Sequence, residues 1–187
     1  MNFNILDFGA KKDTVCTESI QAAIDSCADN GGGVVIIPSG EYISGTVWLK
    51  SNVELHLEMG AVLKASTNTE DYNDENAYSQ NWGSVSEKWK AKHLIIALEC
   101  DNTAITGNGI IDGSGDYFFG DERVICSGTA WEGGYVTSRD EENLRPGQLI
   151  CFIECSNVKV IDIAIRNTPC WECSFMAVNM CRSEVLK

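Results

Sequence analysis

Apolar residues in this chain come in short alternating runs, not in long stripes. Val53, Leu55 and Leu57, then Val158 and Val160, then Ile161, Ile163 and Ile165 take every second position, bounded by Gly, Asn, Asp and Ser. A period of two places successive side chains on opposite faces, which predicts strands. Three segments repeat one template of a small residue, an Asn and alternating strands: SNVELHLEMGAVLKAS (51–66), CDNTAITGNGIIDGSG (100–115) and CSNVKVIDIAIRNTP (155–169). A recurring unit means stacked copies in place of a closed globular core. With no helical pattern between the runs, the reading is an all-β parallel β-helix, each strand pairing with its equivalent one turn away.

The internal match is clearest between KAKHLIIALECDNTAI (90–105) and RPGQLICFIECSNVKV (145–160), which align 55 positions apart. A weaker copy, FMAVNMC (175–181), puts Cys181 26 positions after Cys155. On this reading 26 is one turn and 55 is two turns with a loop added. Two ladders are expected. Asn52, Asn102 and Asn157 would stack at a turn, each amide bonding the next, and Cys100, Cys155 and Cys181 would stack inside as small hydrophobes.

Before the repeats, Ile20, Ala23, Ile24 and Cys27 recur at helical spacing, with Thr17 as N-cap and Glu18 in the first turn. The pattern predicts an amphipathic helix over 17–28, ended by Gly31-Gly32-Gly33, with the first strand starting at VVIIP. Laid over the first coil, such a helix would cover its apolar end and unpaired edges.

At 187 residues and 44% hydrophobic content, the chain fits one domain, 1–187, with a substantial core. A net charge of −13 disfavours nucleic acid and anionic membranes as partners. No run of 18 apolar residues occurs. MNFNILDFGAKKD has none of the features of an export signal, and nine Cys is an odd number, which together favour reduced thiols and the cytoplasm. A leader already removed would leave the same sequence on a secreted protein.

Taken in order, FNILDFGAKKD, the helix, NGGGVVIIPSGEYISGTVWLKSNVELHLEMGAVLKAS, ITGNGIIDGSG and RPGQLICFIECSNVKVIDIAIRNTPCW resemble the polygalacturonase-like glycoside hydrolases, family 28 of the pectate-lyase-like superfamily. The resemblance implies a right-handed parallel β-helix and inverting hydrolysis of α-1,4-linked galacturonic acid chains, with pectin or oligogalacturonide as partner and no cofactor. Inversion needs one carboxylic acid on the leaving oxygen and a carboxylate activating water on the opposite face, roughly 6.5–9.5 Å away. In the family these are Asp residues of Asn-Thr-Asp and Gly-Asp-Asp motifs, followed by Gly-His-Gly and Arg-Ile-Lys. None of the four occurs between Met1 and Lys187. The expectation is therefore the N-terminal part of such an enzyme, ending within the coil that starts at Cys181. No catalytic residue is assigned, and the chain alone should not cleave pectin. An unfinished coil would also expose a strand edge and favour self-association. The alternative is a non-catalytic β-helix that binds glycan or serves adhesion.

Other candidates read as structural. Asp112 with Asp116, and the run Asp140, Glu141 and Glu142, are the closest acidic groupings, but Asp112 before Gly113 suits a turn and the run suits a solvated loop. Cys170 and Cys173 have CxxC spacing and, with Cys151 and Cys155, could offer four thiolates. Cys151 and Cys155 would share a face but lie too far apart, so no metal is assigned. His56 and His93 lack metal-ligand spacing and read as satisfied strand histidines. Segments 67–92 (Tyr72, Tyr78, Trp82, Trp89) and 116–144 (Tyr117, Phe118, Phe119, Trp131, Tyr135) break the rhythm. They read as loops walling a lateral cleft, their aromatics either stacking on sugars or packing onto the coil.

Overall fold

A computed structural model describes residues 1–73, 92–119 and 146–186. The strands are β1 (Asn2–Asn4), β2 (Gly33–Ile37), β3 (Gly40–Ser44), β4 (Val47–Leu49), β5 (Val53–Leu57), β6 (Ala61–Ala65), β7 (Ile95–Leu98), β8 (Ala104–Gly107), β9 (Ile110–Asp112), β10 (Ile150–Ile153), β11 (Ser156–Arg166), β12 (Cys173–Met176) and β13 (Asn179–Leu186). Every strand pairing among the described residues is parallel and joins equivalent positions of successive turns, so the fold is the expected parallel β-helix.

Three faces make up the coil. The first runs β1-β2-β5-β8-β11, the second β3-β6-β9-β11, and the third β4-β7-β10-β12. Strand β11 belongs to two faces because it bends: its first half pairs with β8 and its second with β9, and Asp162 between them has φ 58°. Alternation aims Val35, Leu55, Ile105 and Val160 inward from the first face, Tyr42, Leu63 and Ile111 from the second, and Val47, Ile95 and Ile150 from the third, all buried in one core.

The turns repeat as the strands do. Asn102 Nδ2 donates to Asn52 Oδ1 (3.1 Å) and Asn157 Nδ2 to Asn102 Oδ1 (2.9 Å), with φ of 62°, 57° and 52° at the three positions. Asn accepts this left-handed conformation better than other L-residues, and each amide bonds the next, so the ladder predicted from sequence is present. A second left-handed row, Glu99, Glu154 and Ala177 (φ 53°, 50°, 53°), was not expected. The two rows bend the chain sharply between the third and first faces.

Three expectations need correction. Ala104 pairs directly with Lys159 and Ile95 with Ile150, so the 55-residue spacing is one turn and not two; the excess lies between β9 and β10. The short turns are 20 and 23 residues, from Val34 to Glu54 and from Ser156 to Asn179. Cys181 pairs with Val158, so it is not in the cysteine ladder. Val178, the residue before the Asn179 that opposes Ser156, takes that rung, because strand alternation and not residue identity decides which positions stack.

Helix α1 (Thr17–Asp29) buries Ile20, Ala23, Ile24 and Cys27 completely, as its spacing predicts. Its N-cap is Cys16, with no side-chain capping bond; Thr17 is freed to accept Gly45 N–H at 2.8 Å. The helix also finishes the edge of the third face. Gln21 Oε1 accepts Trp48 N–H (2.7 Å) while Gln21 Nε2 donates to the Trp48 carbonyl (3.1 Å), so one side-chain amide stands in for a neighbouring strand. Asp25 holds that amide through Nε2 (2.9 Å) and itself meets Lys50 at 2.8 Å. Strand β1 covers the edge of β2 and was missed in the sequence, where VVIIP reads as the first strand.

Candidate functional site

The long connections leave the coil at one corner, between the second and third faces. β3 and β4 are joined there by residues 45–46 alone, whereas β6 to β7 and β9 to β10 span 66–94 and 113–149. The corner and the outer surface of the third face beside it form the candidate site.

On the second-face side, Asp112 at the end of β9 is buried and fully engaged. Its Oδ1 accepts Ser114 N–H (3.0 Å) and Asn167 Nδ2 (3.2 Å), and its Oδ2 accepts Arg166 Nε at 2.8 Å. Asn167 also accepts Asp116 N–H at 2.9 Å, which ties the start of α2 (Gly115–Phe119) to β11. Asp112 is thus an anchor for the turn, as its neighbours in sequence suggest. Asn167 links Asp112 and Asp116, bonding Asp112 Oδ1 and the Asp116 backbone N–H.

On the third-face side a buried polar column precedes the strands. Thr46 Oγ1 donates to the His93 carbonyl (2.6 Å) and Asn73 Oδ1 accepts His93 N–H (3.2 Å). His93 Nδ1 meets the Gln148 carbonyl at 2.7 Å, which fixes the proton on Nδ1, while Nε2 and Gln148 Oε1, both buried, find no hydrogen-bond partner among the described residues. His93 is therefore only half satisfied, contrary to expectation, and burial pushes its pKa down from the ordinary value. His56 lies elsewhere, on the first face, where its Nδ1 donates to Thr106 Oγ1 (2.8 Å) and Thr106 donates to Glu54.

The outer surface of the third face is apolar. Ile96, Cys151 and Ile153 are fully buried in a cluster of their own, with Trp48 and Met176 packed against it. Cys151 therefore faces outward, where burial raises its pKa to about 12. Cys155 faces the core, because the left-handed turn at Glu154 lies between the two. The expectation that they share a face is wrong, and Cys173 points into the core while Cys151 points away from it. Among the described residues no three His, Cys, Asp or Glu converge as a metal site would require.

Exposed groups at this corner are Tyr117, the Arg166 side chain and Trp171, the last 64% exposed. Tyr72 packs inward instead, its hydroxyl donating to the Ser66 carbonyl at 2.7 Å, and Phe118 is buried against Tyr117 edge to face. Tyr78, Trp82, Trp89, Trp131, Tyr135, Asp140, Glu141 and Glu142 lie outside the described residues. The Asp112–Arg166 pair was not legible in the sequence, since its members are 54 positions apart and share no motif.

Comparison with known proteins fits this geometry. The sequence model of glycosyl hydrolases family 28 matches residues 27–186. The chain is 39% identical over 122 residues to the exo-poly-alpha-D-galacturonosidase of Dickeya chrysanthemi, covering 60% of this chain and 19% of that protein. It is 29% identical over 159 residues to a polygalacturonase of Ralstonia nicotianae, covering 80% and 29%. It superposes on a hyperthermoactive exopolygalacturonase of Thermotoga maritima with a TM-score of 0.67 and 26% identity, covering 99% of this chain and 47% of that one. The chain thus spans less than a third of the two relatives matched by sequence.

Proposed function

This chain belongs to family 28 of the glycosyl hydrolases, and on that premise we propose that it supplies the cap and first coils of a polygalacturonase-type enzyme that hydrolyses α-1,4-galacturonosyl linkages with inversion. The acid and base of that reaction sit on coils stacked beyond β12 and β13 in the complete enzyme. The reading is carried by one observation: the family match runs through β13 to residue 186, while the chain spans only 19% and 29% of the two galacturonan-hydrolase relatives.

Physical chemistry supports the division of labour. An inverting hydrolase needs two carboxyl groups separated by room for a water, one protonated and one free to take a proton. Asp112 has both oxygens occupied by three donors, one of them cationic, so it can serve as neither. Here the coil's task is to hold the next turns in register, so that carboxylates on later strands keep a fixed separation.

The test is reducing-end release from polygalacturonate, run on the 187-residue chain and on a chain extended through the adjoining coding sequence. Release by the extended chain alone is expected, and its added turns should carry Asn-Thr-Asp and Gly-Asp-Asp. Turnover by the 187-residue chain would sink the assignment of the acid and base to later coils. An extended chain without those motifs or without turnover would sink the enzyme reading itself.

A further inference from the structure

We propose that Cys100 and Cys155 form a peroxide-sensitive dithiol that closes to a disulfide between adjacent coils. The two residues occupy the same rung. Asp101 bridges Ser156 in parallel, and Ser156 N–H donates to the Cys100 carbonyl at 2.9 Å, so the preceding cysteines stand side by side. Each follows a left-handed Glu with nearly the same φ, 53° and 50°, and both are packed in the same core. Neighbouring parallel strands run about 4.8 Å apart, inside the ~4.4–6.8 Å between Cα atoms that a disulfide spans.

The two thiols act on each other: the Cys155 side chain, with burial adding to the rise, pushes Cys100 up, and the Cys100 side chain holds Cys155 down. Both lie at the edge of the core, 6% and 1% exposed, each also facing backbone carbonyls: Leu49 and Leu98 for Cys100, Ala97 and Ile153 for Cys155. Among the other described cysteines this relation does not recur. Cys151 pairs across strands with Ser174, Cys173 with Ile150, and Cys16 donates to the Ile43 carbonyl.

Hydrogen peroxide is the oxidant, because it is close to water in size and reaches a nearly buried sulfur that a bulky disulfide does not. The Cys155 thiolate attacks one peroxide oxygen, the O–O bond breaks, and hydroxide leaves and takes up the thiol's proton as water. The resulting sulfenic acid is then attacked by the Cys100 sulfur. The S–O bond breaks, the departing hydroxide takes the Cys100 proton, and the S–S bond forms. Two thiols lose two electrons and peroxide becomes two waters. The product ties the β7–β8 turn to the β10–β11 turn and encloses residues 101–154 in a covalent loop, which restricts the unfolded chain.

The experiment uses the reduced 187-residue chain, treated with hydrogen peroxide, unfolded, alkylated and peptide-mapped. Expected are one linked peptide joining Cys100 to Cys155, loss of alkylation at those two sites, and a higher melting temperature that dithiothreitol reverses. In the Cys100→Ser variant, whose hydroxyl keeps a donor beside Cys155 but cannot form a disulfide, Cys155 should stop at a sulfenic acid that dimedone traps. The proposal is overturned if both cysteines stay fully alkylatable, if Cys155 proceeds to a sulfinic acid with no linked peptide, or if the link joins other cysteines. The map of the unsubstituted chain decides this alone should the variant fail to fold.

Discussion

Replacing Gln21 by Ala should unzip the capped edge of the coil. The amide makes two hydrogen bonds to the backbone of Trp48, at 2.7 and 3.1 Å, and each such bond contributes about 1 kcal/mol net. Trp48 is half-buried, so water reaches part of the vacated edge, and Ala gains a few tenths of a kcal/mol in helix propensity. The balance is a loss of about 1.5 kcal/mol. With a urea slope of about 2 kcal/mol/M for a chain of this size, the unfolding midpoint should fall by roughly 0.7 M with the slope unchanged. Gln21→Glu separates the two bonds, because it keeps the acceptor for Trp48 N–H but sets a carboxylate against the Trp48 carbonyl and Asp25. At neutral pH it should be at least as destabilising as Ala, and its deficit should shrink in acid as the new carboxyl regains a proton to donate. Equilibrium urea unfolding followed by circular dichroism reads all three proteins. An Ala variant within about 0.5 kcal/mol of the parent would refute the idea that this amide acts as a surrogate strand, since two lost bonds require more.

Two further outcomes follow from single positions. Gly107 has φ 113°, and a Cβ there would collide with the Leu57 carbonyl, whereas Gly31 (φ 88°) has open space around it. Gly107→Ala should therefore cost about 3 kcal/mol or more and Gly31→Ala only about 1, a contrast that paired melting curves would show and that equal losses would contradict. His93 is buried with its pKa lowered by desolvation, so the unfolded chain takes up a proton as pH falls through about 6.5 while the folded protein does not. Its contribution is complete above that pH and is lost below it, at up to about 1.4 kcal/mol per pH unit. His93→Asn should flatten the decline of stability between pH 6.5 and 5, and parallel curves for the two proteins would refute the assignment.

What the sequence made legible was set by local periodicity. Alternation at Val53, Leu55 and Leu57 gave strands, Ile20, Ala23, Ile24 and Cys27 gave the buried helix face, and the recurring Asn gave the ladder, because each signal resides in neighbouring residues. The length of a turn has no such signal. Strands of one template pair equally well across a short or a long excursion, so the 55-residue spacing was open to misreading as two turns. Matching Cys181 to Cys155 failed for a related reason: shared identity suggested the alignment, but side-chain alternation placed Val178 on that rung. Gln21 was invisible as a cap since a polar residue on a helix reads as solvent-facing. The polar groups of the corner, from Asp112 to Arg166 and from His93 to Gln148, meet only because the coil stacks residues some fifty positions apart.

That one corner takes anything from residues 45–46 to 113–149 without disturbing the strands has a consequence for how such a protein changes over time. Register is fixed by rung-to-rung pairing, so the length of chain inserted at that corner is free of the geometry that fixes the spine. Insertions and deletions there can be sampled one coil at a time, each leaving its neighbours in place. Surface shape along one flank can then drift quickly on a backbone that barely moves, as shelves are exchanged on a fixed rack.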